Sequence, residues 1–394
     1  MSDFDREAFG GHNVNQLGGN LDGLVVADFS RVLAGPYASM LLGDMGATVI
    51  KVESPVGDDT RHWVPPLRDG VGTYYLSINR NKYSIALDLS DPDDLATAHE
   101  IAARADIFIQ NFKVGGLDKF NLDYESLRVI NPSIIYCSIS GFGSKEGASL
   151  PGYDLLVQAV SGLMSLTGDS EGEPYRAGIS VFDVMTGLFS TIGILSALRR
   201  RETTGQGQHV ETNLLSTALS ALVNQTSAYI AGNFVPTRMG NAHLSLFPYE
   251  PLPTKDRPLI VIAGNDGQFE RLAKVLGVEY LLDDDRFNSV FARNTNREVL
   301  RPILVEALSA RDADEWFELL SGSGVPCGPI NDVKGGVDLA LKLGLDPVIE
   351  VDGVPVIRNP VTFSESDVSY RLAPPRLNQD RELILSWLSG GQLS

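Results

Sequence analysis

Residues Leu24 to Glu53 read strand, helix, strand, and that alternation constrains the chain more than any other feature. Leu24-Val25-Val26-Ala27-Asp28-Phe29 and Ala47-Thr48-Val49-Ile50-Lys51-Val52 are largely apolar runs of strand length, too uniformly apolar to leave one face in water. Between them Pro36 suits the opening of a helix that carries Ala38, Met40, Leu41 and Leu42. Such a unit builds a parallel sheet buried on both faces. The alternation continues. A strand is predicted over Asn79–Leu89, and then a helix capped by Asp91, with Pro92 at its first position and Leu95, Ala98, Ile101 and Ala102 on its inner face. Further strands are expected at Asp106–Gln110, Ile134–Ser140 and His209–Glu211, and a long apolar helix over Asn213–Ile230. The fold class expected is α/β, with a Rossmann-like parallel-sheet large domain and a smaller α+β domain.

With 394 residues, 43% of them hydrophobic, the chain is long enough for two domains. Residues 1–20, rich in Gly and Asn, read as an N-terminal arm. Residues 21–225 read as the N-terminal part of the large domain, 226–330 as the small domain and 331–394 as a C-terminal segment. The net charge of -18 argues against nucleic acid as a partner, because phosphate binding needs a concentrated basic surface. No membrane partner is expected either, since the apolar run Val184–Leu198 is shorter than a span and holds Thr, Ser and two Gly. Acidic residues near Met1 predict a cytoplasmic protein. Cys137 and Cys327 stand far apart with no histidine cluster, which predicts a reducing compartment and no metal.

The chemistry is placed at Asp183. It stands before a run that carries no charge until Arg199 and ends in basic residues, the pattern of a buried helix with the acid at its positive end. As a helix N-cap, its plainer role, it would be held ionised by backbone amides. A dinucleotide-binding dehydrogenase is a rival, because Glu53 falls where such folds keep their ribose-binding acid. Against it, Gly35 is the sole glycine between the first strand and its helix, where that fold carries G-x-G-x-x-G.

Several motifs in family order carry a resemblance: Val26-Ala27-Asp28 with Leu33-Ala34-Gly35-Pro36, Gly46–Glu53, Asn79-Arg80-Asn81-Lys82, Asn111-Phe112, Gly152-Tyr153-Asp154, Phe182-Asp183, Thr204–Gln208 and Gly324–Pro329. Together they resemble the class III CoA-transferases of the CaiB/BaiF type, the family of formyl-CoA and carnitine-type transferases and of α-methylacyl-CoA racemases. The resemblance implies an interlocked homodimer in which the C-terminal segment returns to the large domain. It also implies coenzyme A or acyl-CoA as substrate, a carboxylic acid as second substrate, and neither metal nor redox cofactor. Position by position, it makes Asp183 the catalytic nucleophile and puts Leu33, Trp63, Tyr153, Asp154 and Gly240 near it. Asn111, Phe112, Lys119 and Phe120 fall in the CoA-contacting segment, and Lys82 and Lys113 are candidates for the CoA phosphates. Leu33, where some relatives carry a polar residue, hints at a less polar acyl group. The racemase reading needs a second base, and the racemase histidine aligns with Tyr153; phenols, with an intrinsic pKa of about 10, are poor bases. A CoA-binding protein without turnover is the remaining alternative.

Overall fold

The computed structural model describes residues 19–391 and Leu393; the expected N-terminal arm, but for Gly19 and Asn20, lies outside the described residues. The chain divides into two units. The first comprises the residues up to Leu163, Arg176–Phe234 and those from Asp346 on. The second comprises Met164–Tyr175 and Val235–Leu345.

The first unit is built on a six-stranded parallel sheet: β1 (Val25–Asp28), β2 (Thr48–Glu53), β3 (Lys82–Ala86), β4 (Ile107–Gln110), β5 (Ile135–Ser140) and β6 (Gln208–Asn213). Their spatial order is β3-β2-β1-β4-β5-β6, with every neighbouring pair parallel. In register, Val26 lies beside Val49 and Ile107, and Ala27 beside Ile50 and Phe108. All six of these residues are buried, as expected for strands covered on both faces. One face packs on α3 (Pro92–Arg104), which Asp91 caps by accepting the N–H groups of Asp93 and Asp94. The other packs on α1 (Ala34–Asp44) and α5 (Val181–Thr204). At the sheet edge, the side chains of Asp380 and Asn378 accept the Ser84 and Ala86 amides, so the C-terminal segment finishes β3 before the last helix, Arg381–Leu388.

Three sequence expectations change. Helix α5 has 24 residues and is long and apolar enough to span a membrane by length and composition, extending beyond the Val184–Leu198 run at both ends. Its Thr186, Gly187, Ser190 and Thr191 are buried against α1 and the sheet. Nor is α5 wholly buried, since Leu188, Phe189 and Ile192 form an exposed apolar face. Finally, the single helix expected over Asn213–Ile230 is two, α6 (Leu214–Ala221) and α7 (Val223–Ile230), parted where Val223 takes a positive φ of 37°.

The second unit carries a three-stranded antiparallel sheet of Tyr249–Leu252, Leu259–Ile262 and Cys327–Pro329. Helices Asp266–Leu276, Arg297–Leu308 and Ala313–Gly322 enclose a core of their own around Phe269, Leu304 and Trp316.

Candidate active site

Strand order reverses between β1 and β4, because β1 continues to β2 on one side and borders β4 on the other. The chain leaving the two carboxyl ends diverges there and opens a crevice. In this crevice lies a cavity of ≈ 890 Å³. Val32, Leu33 and Ala34 line it after β1, Asn111, Phe112 and Lys113 after β4, and Gly141 and Phe142 after β5; Trp63, Tyr74, Tyr153, Asp154 and Asp183 also face it.

Asp183 sits in the first turn of α5, yet it is not the cap. The capping position is Ser180, whose side chain makes no capping bond. The free amides are taken from another element: the buried Asp154 carboxylate accepts the N–H of Phe182 at 2.7 Å and of Asp183 at 3.0 Å. Asp154 also accepts from the Gln158 amide, and Gln158 in turn accepts the Ala177 N–H at 2.8 Å. One acid thus fixes the start of α5 and leaves the other without a capping bond. Burial, followed by the Asp154 charge, pushes the Asp183 carboxyl up to about 7. That reverses the expectation of a firmly ionised, capping Asp183.

Two close backbone approaches hold this geometry. A Cβ on Gly152 would stand 2.9 Å from the Gly141 backbone, so the turn leading to Tyr153 and Asp154 lies directly on the end of β5. A Cβ on Gly187 would stand 2.7 Å from the Ala34 carbonyl oxygen, so α5 crosses the start of α1 in contact one turn beyond Asp183. Tyr74 is hydrogen-bonded to Ser180 and meets Trp63 edge to face, with ring centroids 5.2 Å apart. Burial and then the Asp183, Asp154 and Asp58 charges push the Tyr74 phenol up, which keeps it protonated.

The other expected positions divide. Trp63, Tyr153, Leu33, Asn111, Phe112 and Lys113 line the cavity with Asp183. Asn111 spends its side chain on the Arg31 backbone, accepting N–H at 2.9 Å and donating to the carbonyl at 2.7 Å. Lys119 and Phe120 are not on the cavity wall. The Lys119 ammonium lies over the Phe120 ring at 4.5 Å, and Phe120 packs on the core beneath the sheet. Lys82 is corrected outright. It is buried, pairs with Asp28 at 3.1 Å and donates to Pro36 O and Asn79 Oδ1 at 2.9 Å. No donor is left for a phosphate, and burial lowers its ammonium to about 8. Gly240 belongs to the second unit, in a turn where its φ is 60°. Cys327, also there, is half-buried, and burial pushes its thiol up, as suits a packing role.

Sequence reasoning missed Arg31, Val32 and His62 on the wall, and beneath it the buried pair Lys51 and Asp58, 3.0 Å apart. A lysine inside an otherwise apolar strand was the available signal for that pair. Among the described residues no group of three or more His, Cys, Asp or Glu could hold a metal ion.

The profile of CoA-transferase family III matches residues 21–381. A succinate–glutarate CoA-transferase of Agrobacterium fabrum is 39% identical over 388 residues, covering 93% of this chain and 95% of the relative. The human succinyl-CoA:glutarate CoA-transferase is 41% identical over 372 residues, covering 93% and 85%. Among solved structures, a CaiB/BaiF family protein from Brucella suis superposes with a TM-score of 0.85 at 42% identity, covering 94% of this chain and 100% of the other.

Proposed function

This chain belongs to CoA-transferase family III, and from that premise we propose that Asp183 is the group through which it moves coenzyme A from an acyl-CoA to a free carboxylic acid. One Asp183 oxygen attacks the thioester carbonyl, the C–S bond breaks, and CoA leaves as thiolate with a mixed anhydride on the enzyme. The thiolate then attacks the Asp183 carbonyl and expels the donor acid, so that the thioester is stored on the aspartate. An incoming carboxylate reverses both steps and departs as the new acyl-CoA, restoring the Asp183 carboxylate. The bonds made and broken are of the same kinds, so the exchange needs no external energy source.

The observation that carries this reading is Asp183 on the wall of an ≈ 890 Å³ cavity at the carboxyl edge of the sheet, with its backbone fixed by Asp154. Leu33 and Ala34, at the start of α1, bring backbone N–H groups that find no acceptor among the described residues. Such amides suit the oxyanions of both tetrahedral intermediates. Arg31, His62 and Lys113 stand on the same wall. With relatives named for succinate and glutarate, the Lys113 ammonium and the Arg31 guanidinium, the latter paired with Asp59 at 3.4 Å, favour a dicarboxylic acyl group, one end reacting at Asp183 and the other bound by positive charge. This replaces the less polar acyl group inferred from Leu33. The interlocked homodimer draws support from the exposed apolar faces of α5, at Leu188, Phe189 and Ile192, and of α4 (Asp154–Val160), at Leu155, Leu156 and Val160.

The test is intact mass after incubation with succinyl-CoA. An adduct that hydroxylamine removes, mapping to Asp183 and missing in Asp183→Ala, is expected. Undiminished exchange by Asp183→Ala would overturn the assignment.

A further inference from the structure

The loop from Ser30 to Leu33, between β1 and α1, is held by more polar contacts than its length requires. Val32 has a φ of 69°, in the left-handed region that β-branched residues almost never enter. Each residue before Leu33 is gripped separately. Asp28 accepts the Ser30 N–H at 3.0 Å, and the Lys51 ammonium donates to the Ser30 carbonyl at 3.1 Å. The Asn111 side chain brackets Arg31, and Asp58 accepts the Val32 N–H with its two oxygens at 3.2 and 3.3 Å.

Two of these groups form a single unit. Lys51 and Asp58 are fully desolvated and joined at 3.0 Å. Thr60 completes the acceptor side, donating from its amide at 3.0 Å and its hydroxyl at 2.7 Å to Asp58 Oδ1. Burial alone would push the Asp58 carboxyl up and the Lys51 ammonium down. Burial is the largest single influence on each, but their attraction, the Thr60 hydrogen bonds to Asp58 and the Asp28 and Glu53 charges near Lys51 together outweigh it, holding Asp58 below and Lys51 above the ordinary values, so both stay charged. A buried ion pair contributes little net stability compared with apolar residues of the same size. This one touches the loop at both ends of the Ser30–Val32 segment, and the residues that follow, Leu33 and Ala34, line the cavity that holds Asp183.

We infer that Lys51 and Asp58 are positioning residues for the transfer reaction: the pair locks Val32 in its left-handed conformation and thereby sets the Leu33–Ala34 backbone against the Asp183 cavity. Backbone strain kept at a site by surrounding contacts is a recurring means of preorganisation. The inference rests on Asp183 being the nucleophile.

A mutant cycle tests it, because glycine adopts a positive φ without strain. In the full-length protein, Asp58→Asn should lower kcat on the order of 10²-fold with KM for succinyl-CoA little changed. In a Val32→Gly background the same Asp58→Asn change should cost about tenfold less, because the loop no longer needs the pair. An unchanged kcat in Asp58→Asn overturns the inference. So does an equal loss in both backgrounds, since a purely structural role for Asp58 would not be relieved by glycine at 32. Should Asp58→Asn not fold, Thr60→Val, which removes the hydroxyl that holds Asp58 Oδ1, enters the same cycle under the same criteria. Asp183→Ala is run alongside. If it turns over normally the nucleophile assignment fails, whereas a dead Asp183→Ala with a fully active Asp58→Asn rejects the positioning role alone.

Discussion

The Asp154 carboxylate accepts the backbone N–H of Asp183 at 3.0 Å, so the two acids on the cavity wall are joined through the main chain. This arrangement gives Asp154 two effects at once. It fixes where α5 begins, and its charge adds to burial in raising the Asp183 carboxyl.

The raised carboxyl predicts a pH profile. In the proposed reaction Asp183 attacks only when ionised, so kcat/KM for acyl-CoA should climb about tenfold per pH unit below about 7 and level off above it. A midpoint near 4 in the same steady-state series would contradict the burial of that group.

Stability should respond with the opposite slope. The folded-state value of about 7 lies above the ordinary aspartate value of 3.8, so between these pH values the native state binds the extra proton and its contribution falls as pH rises. Asp183→Asn, which cannot ionise, should therefore exceed the parent protein in unfolding free energy at pH 8, measured by denaturant titration, by on the order of 1 kcal/mol or more. The gap should close as the pH approaches 4.

Asp154→Asn should separate its two roles. The amide oxygen can still accept an N–H, but the charge is gone, so the kinetic midpoint should move below 7 while the fold survives. Asp154→Ala also loses the cap, at about 1–2 kcal/mol, and chemical denaturation should register that loss.

Lys82 and Lys113 should behave oppositely. Lys82→Met removes the ion-pair partner of the buried Asp28 carboxylate and should destabilise by about 3–5 kcal/mol without a specific effect on KM for CoA substrates. Lys113→Ala, at an exposed position on the cavity wall, should raise that KM and leave the melting temperature unchanged. Paired thermal melts and kinetics decide the matter.

Gly187→Ala should reduce turnover. The new methyl would meet the Ala34 carbonyl at 2.7 Å, forcing α5 away from α1 and Asp183 away from Leu33. Single-turnover formation of the enzyme-bound thioester is the sensitive readout, and an unaltered rate would show that the helix contact does not set the site.

The strands and most helices were legible in the sequence because their signals are local. Apolar runs such as Val49–Val52, the Asp91–Pro92 start of α3 and the glycine after α5, Gly205 at a φ of 68°, act within a few residues. The resemblance carried by the motifs likewise put Asp183 and Asp154 together, and the structure sets both on one cavity wall. The polar groups that the sequence misread are ones whose partners lie far along the chain. Asp183 looked like its own helix cap, but the cap comes from Asp154, 29 residues earlier. Lys82 looked like a phosphate ligand, but it is consumed by Asp28, 54 residues away. Lys51 looked like one more strand residue, though with Asp58 it grips the loop beside the cavity. Local pattern reports propensity and burial face. The value of a charge is set by whatever desolvates and pairs it, and only folding brings those groups together.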